Sequence, residues 1–498
     1  MWQLFKKLPL AISIPAIFIL IMLIPALHGF YVGNEHQGRT FLYAVLLGIF
    51  SISFISLLIQ NESLSTHRHT QLWSLLAFFI GLPILLAIPF HEVLVDADII
   101  NSYLDIVSVI TTTALPVFPA NVLSETVVLW RVCMGWASGF LIWVFAWSLF
   151  AQLNLSGFEE LDVGHPESLT PLNKHSTWDS LASTKFWREA ERLGPIYFWI
   201  TAGTSLLLLF ASGDPVYAVL RAMSTIATFG IEIPGHTEAG WSGEAILILV
   251  MAFALSRSTF SDLLSKTSRW QLIHDPELRV AAILIVLAML ILTSLSWSAK
   301  IHIGSGIESV WGIFFTSISF LTTTGLTSIY IPNGLTGFGP GEIIFMALAM
   351  LGGGVATTAG GIKLLRVYIL TRHCKDEIDR LMSPSQVKIG QGNHVSSNYP
   401  NPMLACVFLI LFILVFAAVT LGLTLTGSSP GEALHLTLAT LTNAGPLAQE
   451  FGNSENTVLE LGIRAKLILV FAMAFGRLEV LALLALLNPD IYRYRSQR

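Results

Sequence analysis

Four short stretches of the sequence are variations on one pattern: Ile110-Thr-Thr-Thr-Ala-Leu-Pro, Ile226-Ala-Thr-Phe-Gly-Ile, Leu321-Thr-Thr-Thr-Gly-Leu and Leu441-Thr-Asn-Ala-Gly-Pro. Each follows a short amphipathic stretch and precedes a long apolar one, the order expected of a re-entrant loop whose backbone carbonyls line an ion path. Irregular backbone at membrane depth survives only when it is buried in protein or lines a water-filled path. A fourfold repeat of such loops therefore constrains the chain to enclose a pore.

The rest of the chain fits a membrane. Residues are 54% hydrophobic and only 12% charged, with a mean hydropathy of +0.69 over 498 residues, far from a soluble average. Ten stretches approach the roughly 20 apolar residues that a spanning helix needs: 8–30, 40–60, 72–90, 127–153, 196–211, 245–264, 280–297, 343–370, 404–425 and 459–487. The first runs past the length of a signal-peptide core and lacks a small-residue cleavage site, so it reads as a retained helix.

Lys6, Lys7, Arg68, Lys266, Arg269, Arg279, Arg372, Lys375, Arg380, Arg493, Arg495 and Arg498 fall on one side of these spans. The positive-inside rule makes that side cytoplasmic, with both termini inside. The segment 90–130 carries Glu92, Asp96, Asp98, Asp105 and Glu125 and no Lys or Arg. It belongs outside, either as an acidic vestibule that concentrates cations or as an ordinary loop depleted of positive charge. Cys133, Cys374 and Cys406 form no disulfide or metal-ligand pattern, and no nucleotide, dinucleotide or nucleophile motif occurs. Nothing in the pattern implies a covalent cofactor, nucleic-acid binding or enzymatic catalysis.

The expected fold is an all-α polytopic membrane protein: two leading transmembrane helices (1–65), then outer helix, pore loop and inner helix four times in pseudo-fourfold arrangement. The units fall at 66–194, which includes a cytoplasmic segment, 195–276, 277–400 and 401–498. The re-entrant helices fall at 101–110, 216–226, 308–320 and 430–441, too short to span. Aligned on the glycine column, the loops offer Thr111, Thr112, Thr113 and Ala114; Thr228, Phe229 and Gly230; Thr323, Thr324 and Gly325; and Asn443, Ala444 and Gly445 as candidate ion-binding residues. Glycine suits positions where successive carbonyls must point the same way, because a Cβ disfavours the backbone angles required. Ala114 departs from it, and the methyl either strains a left-handed backbone or tilts the carbonyl away. Phe229 cannot point into a pore without blocking it and is expected to pack behind the loop.

The stretch 352–361 holds Gly352, Gly353, Gly354, Gly360 and Gly361 with Thr357 and Thr358 inside an otherwise apolar helix. A regular helix should break there, and broken backbone at this depth suits a gate; close packing through small residues is the alternative. Arg477 lies deep in the last apolar run, where an arginine must face a water-filled cavity or find a partner such as Glu479 or the carbonyls of the glycine-rich loop. Lys363 and Arg366 are expected to snorkel to the cytoplasmic surface. The later half of 156–194 reads as an amphipathic surface helix or a solvated linker, and 383–401 as a flexible loop.

On the four loops, on Leu351-Gly-Gly-Gly-Val-Ala-Thr-Thr-Ala-Gly-Gly-Ile-Lys-Leu-Leu-Arg366, on Phe475-Gly-Arg-Leu-Glu-Val480 and on Ala222-Met-Ser-Thr-Ile-Ala-Thr228, the chain resembles the TrkH/KtrB/HKT superfamily of cation transporters. With its two leading helices it is most similar to the TrkH branch. The resemblance implies potassium, sometimes sodium, moving through one pore in a bacterial-type cytoplasmic (inner) membrane, as channel or symporter. It also implies an intramembrane loop that occludes the path, with Arg477 as an electrostatic barrier. Homodimers resting on a cytosolic ring of nucleotide-binding regulatory subunits are usual, and such sensing would lie on another chain. Ala114, Phe229, Ser138-Gly139 and the region of Arg257 depart from the pattern. Two readings follow: a cation-conducting subunit with a less discriminating filter, or a degenerate, non-conducting assembly or regulatory subunit.

Overall fold

Regular structure among the described residues is entirely helical, and several helix starts are written locally in the sequence. The computed structural model describes residues 10–59, 68–94, 97–150, 178–235, 239–256, 275–298, 306–332, 335, 341–383, 402–450 and 458–478. Lys6, Lys7, Asp96, Arg257, Lys266, Arg269, Glu479, Arg493, Arg495 and Arg498, the stretches 156–177 and 384–401, and the side chain of Arg68 lie outside the described residues. An acceptor at the N-cap satisfies the free N–H groups of a first turn. Asp214 does so for α8 (Pro215–Ile226), accepting from Val216 N at 2.9 Å and Tyr217 N at 3.2 Å with Pro215 in the first turn. Ser429 and Glu432 form a reciprocal capping box on α15 (Pro430–Leu441).

The leading pair is α1 (Leu10–Ile21) with α2 (Leu23–Tyr31), broken at Met22, followed by α3 (Glu35–Ile59). Four units follow. The first is α4 (Arg68–Val93), re-entrant α5 (Ile99–Ile110) and α6 (Glu125–Phe145), which ends in a π-turn at Ala146–Phe150. The second is α7 (Trp178–Ser212), re-entrant α8 and α9 (Gly240–Ala252). In the third, α10 (Pro276–Ser298) and re-entrant α11 (Gly306–Leu321) precede an inner helix in two pieces, α12 (Glu342–Leu351) and α13 (Leu364–Met382). The fourth is α14 (Pro402–Leu425), α15, a short turn α16 (Leu447–Glu450) and α17 (Ile463–Leu478). The chain is thus an all-α polytopic membrane protein in the expected repeat. Among the described residues seven helical spans, with α1 and α2 counted together as one, are long and apolar enough to cross a membrane. The other three expected spans are represented by α9, α12 and α17, of 13, 10 and 16 residues.

Three expectations change. The segment before residue 196 is no separate surface helix: from Trp178 it is continuous with the outer helix, a single 35-residue α7 with Pro195 inside it. The second inner helix stops at Ala252, well short of 264, because Phe253, Ala254 and Leu255 turn to meet the glycine-rich loop. Lys363 and Arg366 do not snorkel; they are 5% and 3% exposed. Lys363 Nζ donates to the Ala359 carbonyl, and the Arg366 guanidinium lies 3.8 Å over the Phe408 ring while donating to the Ile362 carbonyl at 3.2 Å. Protein contacts replace the water they would have sought at the surface.

The acidic outer stretch is also rearranged. Asp105 is fully buried in α5 and bonded to Arg131 of α6 at 2.7 Å, so it adds no free charge to a vestibule. A buried pair loses about 3–5 kcal/mol when one partner is removed, because the other charge is stranded. Asp105→Ala should therefore lower the thermal unfolding temperature in detergent sharply, and Asp105→Ala with Arg131→Met should recover part of it. Equal losses in the single and double variants would show that the two side chains do not act as a pair.

Candidate ion pathway

The four re-entrant helices end the same way. A helix often stops on a residue in the left-handed region, with the next two N–H groups folding back on the last carbonyls. That motif recurs here at Thr112, Thr228, Thr323 and Asn443, with φ of +50°, +50°, +57° and +53°. Thr112 N donates to Val109 O at 3.0 Å and Thr113 N to Ser108 O at 2.8 Å. Thr228 and Phe229, Thr323 and Thr324, and Asn443 and Ala444 repeat both bonds. Left-handed φ is costly for a β-branched residue, on the order of 1–3 kcal/mol, and persists only where the surroundings fix it.

The demand for glycine-like angles therefore sits two residues before the glycine column in all four loops. Within the column itself only Ala114 and Gly325 have positive φ, +57° and +80°. Gly230 and Gly445 meet a different need, close approach of a neighbouring loop. A Cβ on Gly230 would lie 2.0 Å from the Thr324 carbonyl oxygen, and one on Gly445 would lie 2.5 Å from that of Thr113. Gly445 N donates to Thr113 O at 2.7 Å. The first loop thus touches the fourth and the second touches the third, while Gly325 of the third faces Pro446 of the fourth, whose ring a Cβ would meet at 2.8 Å.

Ala114 adopts the left-handed angle, so of the two outcomes foreseen for its methyl the structure has the strained one. The Phe229 ring is fully buried behind its loop, in the notch left by Gly135, where a Cβ would come within 2.8 Å of it. Ala227 is similarly pressed on Gly139, and Ser138 donates to the Ile110 carbonyl. The departures at 138–139 and at 229 are thus packed against each other's elements.

On one side of the loops is a cavity of about 100 Å³ lined by Ala114, Gly230, Gly325 and Pro446 from the four units, with Arg131 and Arg221. These arginines escaped the sequence reading, Arg131 by a single position beyond the acidic segment. Arg221 donates to Ile231 O at 3.2 Å and so braces the chain leaving the second loop. Glu244 of α9, also missed, accepts from Ser328 Oγ and Trp311 Nε1 at 2.7 Å and from Ile329 N at 3.2 Å, bracing the chain leaving the third. A carboxylate near the start of an apolar helix was the available signal.

On the other side lies the excursion 352–363. Its ends are zipped by Ile362 N to Met350 O at 3.0 Å, Lys363 N to Leu351 O at 2.9 Å and Leu364 N to Gly353 O at 3.0 Å. Its tip is bonded to the loops. Thr228 Oγ1 donates to Thr358 O at 2.8 Å, and Gly360 N donates to Thr323 Oγ1 at 2.7 Å. A Cβ on Gly360 would lie 1.9 Å from the Thr442 carbonyl oxygen. Arg477, 6% exposed, donates from Nη1 to Thr358 O at 2.7 Å and from Nη2 to the Thr112 hydroxyl. It meets a carbonyl of the glycine-rich loop, one of the two partners foreseen for it. A separate cavity beside Thr358 and Ile226, walled by Trp143 and Tyr197, holds about 10 Å³, at the lower limit for one water.

These contacts bring the sequence candidates of the four loops, the excursion and Arg477 together, with Thr111, Thr113, Thr324 and Ala444 completing the loops. Thr111 and Thr113 hydroxyls pair at 2.8 Å, those of Thr322 and Thr324 at 2.9 Å, and Asn443 Nδ2 donates to Thr113 Oγ1 at 2.8 Å. Among the described residues no His, Cys, Asp and Glu cluster with metal-ligand geometry occurs.

The profile of the TrkH family, described as cation transport protein, matches residues 243–489, which include the third and fourth loops, the glycine-rich excursion and Arg477. The chain belongs to the TrkH family. It is 27% identical over 406 residues to the Trk system potassium uptake protein TrkH of Escherichia coli K12, covering 80% of each chain. It is equally 27% identical over 433 residues to the Trk system potassium uptake protein TrkI of Halomonas elongata, covering 85% of this chain and 83% of that one. The fold matches the crystal structure of the potassium transporter TrkH from Vibrio parahaemolyticus with a TM-score of 0.79 at 22% identity, over 98% of this chain and 100% of that one. This TrkH-family chain is a cation-transport membrane protein and not an enzyme.

Proposed function

We propose that the chain is the membrane-embedded subunit through which potassium, and sodium less selectively excluded than by an all-glycine filter, passes inward. The four loops form the filter, and 352–363 with Arg477 forms the gate. The observation that carries this reading is the fate of the filter-base hydroxyls. Thr228 and Thr323 bond to the glycine-rich excursion, and Thr112 bonds to the arginine that holds it. A loop bonded across the base of a pore occludes it until those bonds break, and a fixed positive charge beneath the filter opposes a cation leaving it. Potassium as cargo rests on the relatives' names, potassium uptake proteins of Trk systems. Residence in a bacterial inner membrane with both termini cytoplasmic, assembly as a homodimer and control by a cytosolic nucleotide-binding ring belong to the same proposal.

One observation favours the non-conducting alternative: the Thr113 carbonyl accepts from Gly445 N–H and is to that extent withdrawn from an ion. Rubidium and sodium uptake into proteoliposomes separates the two. Conduction predicts uptake of both above protein-free vesicles, with rubidium favoured. No uptake of either ion, also from protein carrying Arg477→Ala, would leave the regulatory reading.

A further inference from the structure

The excursion 352–363 is held from two directions, and the second is a carboxylate outside the pore units' loops. Its tip bonds upward to Thr228, Thr323 and Arg477, as described. Its entering limb bonds to the ends of two neighbouring helices. Gly354 N donates to Ala254 O at 3.0 Å, and Thr357 Oγ1 donates to the same carbonyl at 3.2 Å. Val355 N donates to Oε1 of Glu277 at 2.8 Å.

Glu277 sits in the first turn of α10 and is 1% exposed. Its neighbour Asp275 precedes the helix and accepts from Glu277 N at 2.9 Å and from the Ser256 hydroxyl just beyond α9. Two carboxylates two positions apart in the order Asp275-Pro276-Glu277 thus fasten the start of the third outer helix to the end of the second inner helix and to the excursion. Burying a carboxylate is costly unless its hydrogen bonds are strong, and a backbone N–H to an ionised acceptor is about twice as strong as a neutral pair. Close packing makes this fastening local: a Cβ on Gly353 or Gly354 would lie 2.6 Å from the Ala254 or Leu255 carbonyl oxygen, so the limb cannot slide along α9 without lifting away.

We infer that Glu277 is a latch, a positioning residue whose bond to Val355 N–H must break for the excursion to leave the filter, so that motion of the start of α10 regulates the gate. This rests on the proposal that the excursion is the gate. It differs from the role of Arg477, which bonds to the tip and the filter, because the bond of Glu277 goes to the entering limb.

Rubidium uptake into proteoliposomes, with the protein alone, tests it from both ends of the bond. Glu277→Ala removes the acceptor and Val355→Pro removes the donor, since proline has no N–H. Each should raise uptake about tenfold, equivalent to ~1.4 kcal/mol, with an unchanged rubidium-to-sodium ratio because the filter is untouched. The double variant should give no more than either single one. Glu277→Gln, which keeps a neutral acceptor, should rise less than Glu277→Ala. Arg477→Ala in the same vesicles separates the two hypotheses. If Arg477→Ala raises uptake and neither latch variant does, the gate stands and the latch is overturned; if none of the three does, the gate reading falls as well. A fully additive double variant, or a changed ion ratio, would also overturn the latch. Should Glu277→Ala fail to yield folded protein, Val355→Pro and Glu277→Gln decide the matter.

Discussion

Arg477→Ala is expected to raise potassium and rubidium flux on the order of 10- to 100-fold. Two effects add. The guanidinium makes hydrogen bonds to Thr358 O and to the Thr112 hydroxyl, the first across 2.7 Å. Hydrogen bonds to a charged group contribute roughly 1.5–3 kcal/mol each, so their loss weakens the tether between the excursion and the first loop. Removing the charge itself takes away repulsion of a cation just above it, a few kcal/mol at an effective dielectric of about 20. Alanine should not strand the loop, because Thr358 O still accepts from Thr228 Oγ1 at 2.8 Å. Arg477→Lys divides the two effects: it keeps a point charge but loses the planar two-pronged geometry. Lysine should therefore give a smaller rise, with flux depending more steeply on ionic conditions. Bilayer recordings or rubidium uptake would check this, and an unchanged current in the alanine variant would remove both the tether and the barrier.

The four re-entrant helices were legible to within two residues at their starts, and within one at their ends, because local physics specifies them. Pro215 after Asp214, Pro430 after Ser429 and the apolar face of 99–110 act over a single turn. The break at Gly352 was legible too, since glycines weaken a helix wherever they fall. What remained hidden depends on partners distant in sequence. The left-handed residues are threonines and an asparagine, and no composition rule marks Thr112, Thr228 or Thr323 as helix-ending; the pattern in the sequence marks the column two positions later, Ala114, Gly230 and Gly325. Lys363 and Arg366 resemble snorkelling residues until Phe408 and the carbonyls of their own loop are placed around them. Glu277 has the look of an ordinary first-turn acid, favourable at a helix N-terminus, and only the fold brings Val355 to it.

The same contrast yields the second large effect, in which an alanine has opposite consequences at two positions of one column. Gly230→Ala should abolish flux, by at least about 100-fold, because its Cβ would lie 2.0 Å from the Thr324 carbonyl oxygen and 3.0 Å from its carbon. These are backbone atoms of the adjoining loop and cannot rotate aside, so either the second or the third loop must leave its place on the axis. Ala114, by contrast, already carries a Cβ, and the chain tolerates it at a φ of +57°. Its cost is conformational, about 1–2 kcal/mol for a left-handed L-residue. Ala114→Gly should therefore preserve total flux, slightly stabilise the first loop and raise the rubidium-to-sodium ratio as the loop settles closer to the φ of +80° found at Gly325. Uptake of both ions by the same vesicles measures flux and ratio together. Normal conduction by Gly230→Ala would mean that the second and third loops separate before an ion passes. A fall in total flux for Ala114→Gly would mean that the alanine is needed to hold the first loop rigid, reversing the sign assigned to its strain.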